Sequence, residues 1–138
     1  MNTEVAFAER PVKPQATILI ADRNPHVRAF LAREMRVEGF RIRLARNCKE
    51  LLKWLYHPEP LDLIILDPDL PDEGGQEILL KLYDRIPAIP VVVHSWSADY
   101  VRPPDESDSV WYVQKEGSSI EELKRRVHTI LNKRMRID

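Results

Sequence analysis

An α/β fold built on a parallel sheet is what this 138-residue chain predicts. Three observations carry that reading. Short, bulky apolar runs alternate along the chain with stretches of helical period. Residues 61–75, LDLIILDPDLPDEGG, hold an apolar run broken only by Asp62. The run ends abruptly at Asp67, and a loop rich in proline, acid and glycine follows it. That pattern is a buried strand delivering one carboxylate to its C-terminal edge, where open parallel sheets keep their chemistry. Finally, the length suits one compact domain.

The elements follow in order. Residues 1–15 carry two prolines and no clear period, and read as a flexible leader. TILIA (17–21) is the first strand. Asn24-Pro25 opens a helix, with Asn as N-cap and Pro at the first helical position. Val27, Phe30, Leu31 and Met35 form its apolar stripe, and Gly39 stops it. Phe40, Ile42 and Leu44 alternate with arginines, as in a strand near a sheet edge. Asn47 with Glu50 resembles a capping box. Leu51, Leu52, Trp54 and Leu55 pack the second helix, which Pro58 and Pro60 end. Strand three (61–66) leads to a helix over about 75–84 with Ile78, Leu79 and Leu82 inward. PVVVHS (90–95) and VWYVQ (110–114) are strands four and five. Ser118 or Ser119 caps a last helix carrying Ile120, Leu123, Val127, Ile130 and Leu131. The order is (βα)5 with one weak unit. Pro103-Pro104 and the polar run after it leave room for one helical turn at most over 98–109. Residues 16–135 form the domain, and 136–138 a tail.

Composition excludes several classes. The formal charge is −1 and the pI about 6.4, so there is no basic footprint for nucleic acid or an anionic membrane. No apolar run approaches the roughly 20 residues needed to span a bilayer, and the start of the chain has no apolar signal core. One cysteine, Cys48, allows no internal disulfide. A cytoplasmic location is expected.

Taken together, the marks resemble a response-regulator receiver domain over residues 16–135. ILIADRNP (18–25) matches the first-strand signature, with Asp22 in the first acidic place. LDPDLPDEGG (66–75) matches the phosphoacceptor signature, with Asp67 as acceptor. Ser95 matches the hydroxyl ending strand four. Lys115, in WYVQKEG, matches the strand-five lysine, and Tyr112 the aromatic switch position. The resemblance implies a flavodoxin-like, doubly wound five-stranded parallel sheet of order 2-1-3-4-5, here with helix four degenerate. It implies two-component phosphorelay signalling, with a sensor histidine kinase, a phosphotransfer protein or another protein as partner, and no direct nucleic-acid or membrane contact. Any enzymatic activity would be self-phosphorylation or dephosphorylation at Asp67. In the family, Mg²⁺ bridges acceptor and phosphate; the matching ligands are Asp22, Asp67 and the backbone carbonyl of Asp69. Lys115 and Ser95 would bind phosphoryl oxygens.

Three departures modify that expectation. Arg23 stands where the family has its second acid, so Mg²⁺ binding should be weak or absent. Its guanidinium either pairs with Asp67 as a bidentate fork or swings to solvent. Trp96 replaces a small residue after the hydroxyl, and either lies across the pocket mouth or packs outward. Glu116 replaces a proline that is often cis, so that loop should differ.

Other residues read as ordinary. His94 is packed in a strand; His26, His57 and His128 have no metal-like spacing; Cys48 is inert. Trp54 and Tyr83 sit at core or groove positions. The basic runs at 124–126 and 133–136 are solvated helix surface or contacts for an acidic partner. Besides the phosphoaccepting receiver, two functions stay open. One is a phosphorylation-independent pseudo-receiver acting as an interaction module. The other is a haloacid-dehalogenase-type phosphatase, suggested by Asp67-Pro68-Asp69. The chain is either a stand-alone receiver or a piece of a longer protein.

Overall fold

The structure is a computed structural model that describes residues 15–72, 75–84, 88–96, 110–116 and 119–135. Most of the expected leader (1–14), the tail (136–138) and the segment 98–109 lie outside the described residues. So do Ser118 and the expected degeneracy of helix four.

Five strands form one parallel sheet in the order β2-β1-β3-β4-β5. They are β1 (Thr17–Ala21), β2 (Arg41–Ala45), β3 (Leu63–Leu66), β4 (Val91–Ser95) and β5 (Val110–Gln114). The described helices are α1 (Pro25–Val37), α2 (Cys48–Leu55), α3 (Gly75–Tyr83) and α4 (Ser119–Met135). The three central strands are buried along their whole length, as continuous apolar runs require when helices cover both faces. Ile18, Ile20 and Ile65 pack with Leu31 and Met35 of α1 and with Leu123, Val127 and Ile130 of α4. Leu19, Ile64 and Leu66 face the other way, onto Leu51 and Leu55 of α2 and Ile78 and Leu82 of α3. Asp62, which interrupts the apolar run, accepts a 2.7 Å hydrogen bond from Thr17 N at the start of the first strand.

The helix ends follow their residues. Asn24 Oδ1 accepts from His26 N and Val27 N. Gly39 takes φ +96°, a conformation that costs other residues, and its N–H closes on Arg36 O. At α2 the capping box is only half made. Asn47 Oδ1 accepts from Glu50 N, but the Glu50 carboxylate reaches one residue further back, to Arg46 N and the Arg46 guanidinium.

Two expected stripes are corrected. On α1, Phe30 is 40% exposed and Ala32 is buried instead, because Leu31 and Met35 set the inward direction and Phe30 lies about 100° away from Leu31. On β2, Ile42 is buried but Leu44 is 36% exposed, and Ala45 turns inward. β2 is the sheet edge, where one flank of a side chain has no neighbouring strand. Arg41 N and Ala45 O pair with β1, so the carbonyls of Ile42 and Leu44 point outward. Arg43 Nη1 caps the first at 3.0 Å, and Trp54 Nε1 caps the second at 3.0 Å. With both outward carbonyls occupied, the edge offers fewer acceptors for strand addition. Among the described residues, no helix is long and apolar enough to cross a membrane.

Candidate functional site

Four strand ends meet at the C-terminal edge of the sheet. Asp22 follows β1, Asp67 follows β3, Ser95 ends β4 and Lys115 follows β5. All four are buried, between 1% and 5% exposed. Parallel register makes this convergence unavoidable, since Ala21 is level with Leu66 and Ser95 with Gln114. Backbone bonds from Asp67 N to Ala21 O (2.8 Å) and from Lys115 N to Ser95 O (2.6 Å) continue the ladder past the strands.

Two buried carboxylates side by side need positive charge. Lys115 Nζ lies 3.0 Å from Asp22 Oδ2 and 4.0 Å from Asp67 Oδ2. Its tighter partner is therefore Asp22 rather than the expected acceptor. Asn24 N donates to Asp22 Oδ1 at 2.9 Å, because the N-cap turn aims that N–H backward. Even so, burial pushes the Asp22 carboxyl above its usual 3.8. The Asn24 and Lys115 hydrogen bonds oppose the shift, and the Asp67 charge adds to it. Asp67 Oδ1 accepts from Asp69 N at 3.0 Å, and its Oδ2 from Arg23 N at 3.1 Å. Sequence reasoning missed Arg28. One turn into α1, its guanidinium donates to Asp22 O at 2.7 Å and ties the helix to the site.

Arg23 neither forms the bidentate fork nor leaves the site. Its Nε is 3.6 Å from Asp67 Oδ2, its Nη2 3.9 Å from Asp69 Oδ2, and its Nη1 3.5 Å from Asp69 O. The side chain is 49% exposed, so it rests as a loose lid on three oxygens. Asp67 Oδ1 also accepts from Asp69 N and Oδ2 from Arg23 N, and the guanidinium spreads its contacts over Asp67 and Asp69 instead of forming a fork on Asp67. A hard divalent cation would need the carboxylates of Asp22 and Asp67 and the carbonyl of Asp69. Oxygen donors of the right kind are present, yet cationic side chains already face each residue of the set. Among the described residues there is no group of three or more His, Cys, Asp or Glu side chains able to hold a metal ion.

Trp96 is 62% exposed and leans over the site, its ring centroid 6.0 Å from Lys115 Nζ. Tyr112, on β5, is partly buried against the α2/α3 face of the core. His94 is 3% exposed, as a packed strand residue should be. Cys48 is buried as well.

Known proteins resemble most of this chain. The family model described as "Response regulator receiver domain" matches residues 18–128. A probable cyclic di-GMP phosphodiesterase of Vibrio cholerae serotype O1 is 37% identical over 128 residues, covering 87% of this chain and 28% of its own length. The DNA-binding transcriptional regulator NtrC of a Bradyrhizobium strain is 30% identical over 104 residues, 74% of this chain and 22% of that protein. The chain spans less than a third of either relative. Among solved structures, the response regulator TrrA of Thermotoga maritima in complex with Mg²⁺-BeF is 28% identical with a TM-score of 0.75, covering 85% of this chain and 100% of TrrA. TrrA has also been crystallised with the histidine kinase ThkA.

Proposed function

Since the chain belongs to the response regulator receiver domain family of two-component signalling, we propose that Asp67 is its phosphoacceptor and that Arg23 leaves it with an impaired Mg²⁺ site. The observation that supports this most is Arg23 resting on Asp67 Oδ2, Asp69 O and Asp69 Oδ2 at 3.5–3.9 Å. Two of them, Asp67 Oδ2 and Asp69 O, belong to the oxygen set a divalent cation would need. Receiver domains generally bind Mg²⁺; here Asp22, Asp67 and the carbonyl of Asp69 would hold it, and its charge would offset the repulsion between acceptor and phosphoryl group. Here a fixed guanidinium supplies part of that charge without the coordination.

In the proposed reaction an Asp67 carboxylate oxygen forms a bond to phosphorus as the donor's bond to phosphorus breaks. The leaving group departs with the electron pair. Lys115, 4.0 Å from Asp67 Oδ2, has only to lengthen its contact with Asp22 to reach a phosphoryl oxygen. Ser95 would donate to another, with Tyr112 following it. The phosphodonor would be a sensor histidine kinase or phosphotransfer protein, as suggested by TrrA and its kinase. Trp96 at the mouth narrows the approach.

Arg23 also favours a second reading, a pseudo-receiver that binds its partner without phosphate. The family leaves no room for the haloacid-dehalogenase alternative, which rested on Asp67-Pro68-Asp69 alone. Titration with Mg²⁺, followed by Trp fluorescence, tests the first reading. Wild type should bind in the millimolar range or weaker, and Arg23→Asp at least tenfold more tightly. Micromolar binding by wild type would sink the role given to Arg23. Partner affinity, measured for wild type and Asp67→Asn with a small-molecule phosphodonor, separates switch from pseudo-receiver. A tenfold, phosphodonor-dependent change that needs Asp67 marks the switch.

A further inference from the structure

A cavity of about 130 Å³ lies beside the carboxylate cluster, between α1, the end of β4 and the start of α4. Its lining is largely hydrocarbon, including Val27, Phe30 and Ile120, and Trp96 borders it. Phe30 and Trp96 are 40% and 62% exposed, so the cavity is flanked by aromatic surface left in water. His94 lines it too, and is 3% exposed. Its Nε2 sits 3.4 Å from Ser119 Oγ at the start of the 17-residue α4. Its Nδ1 is buried and has no hydrogen-bond partner among the described residues. A buried polar atom left without a partner is costly, and usually has a ligand or water to meet.

The ring is neutral at pH 7. Burial first, and the Lys115 charge second, pull His94 down to about 4 against the opposing pull of Asp67. Assigning the ring proton to Nε2, which faces Ser119 Oγ, leaves a lone pair on Nδ1. Lys115 lines the same space with its Nζ paired to Asp22 at 3.0 Å, and Glu116 lines it too, so the cavity carries one charge of each sign and does not select an anion.

We propose that this cavity binds a small, neutral, flat molecule of about one ring, whose single N–H or O–H donor meets His94 Nδ1. An enclosed void of roughly 150 Å³ holds one benzene-sized molecule, and this cavity, similar in volume but open to solvent on one side, has room for a single ring. The site stands whether or not Asp67 accepts a phosphoryl group.

Phenol and toluene are probes of nearly equal size, one with a donor and one without. The full chain titrated with each, followed by amide NMR shifts, should give saturable changes around Ile120 and His94. Phenol should bind at least tenfold more tightly than toluene. In His94→Leu the two should come within threefold of each other. Val27→Phe leaves His94 intact but fills the space, and should abolish both. The proposal is overturned if wild type shows no saturable shift or binds both probes equally. It is overturned too if the preference for phenol survives His94→Leu, or if binding survives Val27→Phe.

Discussion

The site holds two cation–carboxylate contacts of opposite character. Lys115 and Asp22 meet at 3.0 Å with side chains 4% and 2% exposed. Arg23 and Asp67 meet at 3.6 Å, with the arginine 49% exposed. In the first, both charges have left water, and each depends on the other for what hydration once gave. In the second, the guanidinium keeps much of its hydration and gains little from the contact. The buried half therefore fixes the geometry of the site, while the exposed half sets its charge and can rearrange when a cation or phosphodonor arrives. His94 belongs with the buried half, as a neutral ring that feels the charge of the same lysine.

The largest effect should come from breaking the buried pair. Lys115→Met leaves Asp22 buried without its ammonium, and should cost about 3–5 kcal/mol in urea unfolding. A loss below about 1 kcal/mol would mean that water already reaches the pair and that the contrast is false.

The next effect is pH dependence through His94. Its folded value of about 4 lies below the unfolded 6.5, so the unfolded chain binds more protons between those limits. Its contribution to stability is present above the unfolded value and is lost as pH falls towards the folded one. From pH 7 to 4 that is on the order of 3 kcal/mol. His94→Leu should flatten that part of the profile. Asp22 acts with the opposite sign: its raised carboxyl favours the folded state below 3.8 and withdraws that support as pH rises through the folded value. An unchanged slope between pH 4 and 6.5 in His94→Leu would remove the histidine from the buried half.

The smallest effect should be that of Arg23→Ala. Losing a half-exposed contact of 3.6 Å should change stability by less than about 1 kcal/mol, and less still at high salt. Unfolding midpoints at low and high ionic strength check this. A salt-insensitive loss of several kcal/mol would place Arg23 with Lys115.

The pattern of the chain determined much by itself. Apolar runs buried on both faces sit between two helical layers, which is why 63–66 and 91–93 lie in the inner strands β3 and β4. Asn24-Pro25 and Gly39 bound α1 by backbone chemistry that operates within a few residues. Asp67 was legible because it closes an apolar run, whereas Asp22, Ser95 and Lys115 were placed at strand ends by the resemblance to the receiver family. Tertiary structure alone decided which atoms meet. Lys115 is nearly a hundred residues from Asp22, and its preference for that carboxylate over Asp67 depends on the spacing of β1, β3 and β5. Arg23 took neither of the two positions the sequence left open, fork or solvent, because its guanidinium spreads over Asp67 and Asp69, a choice no spacing in the sequence reveals. Phe30 looked like core because helical period gives a stripe but not its width; the inward direction was set by Leu31 and Met35 against the sheet. A local rule survives wherever its partners lie within a turn or a strand, and gives way where long side chains choose among partners brought together only by packing.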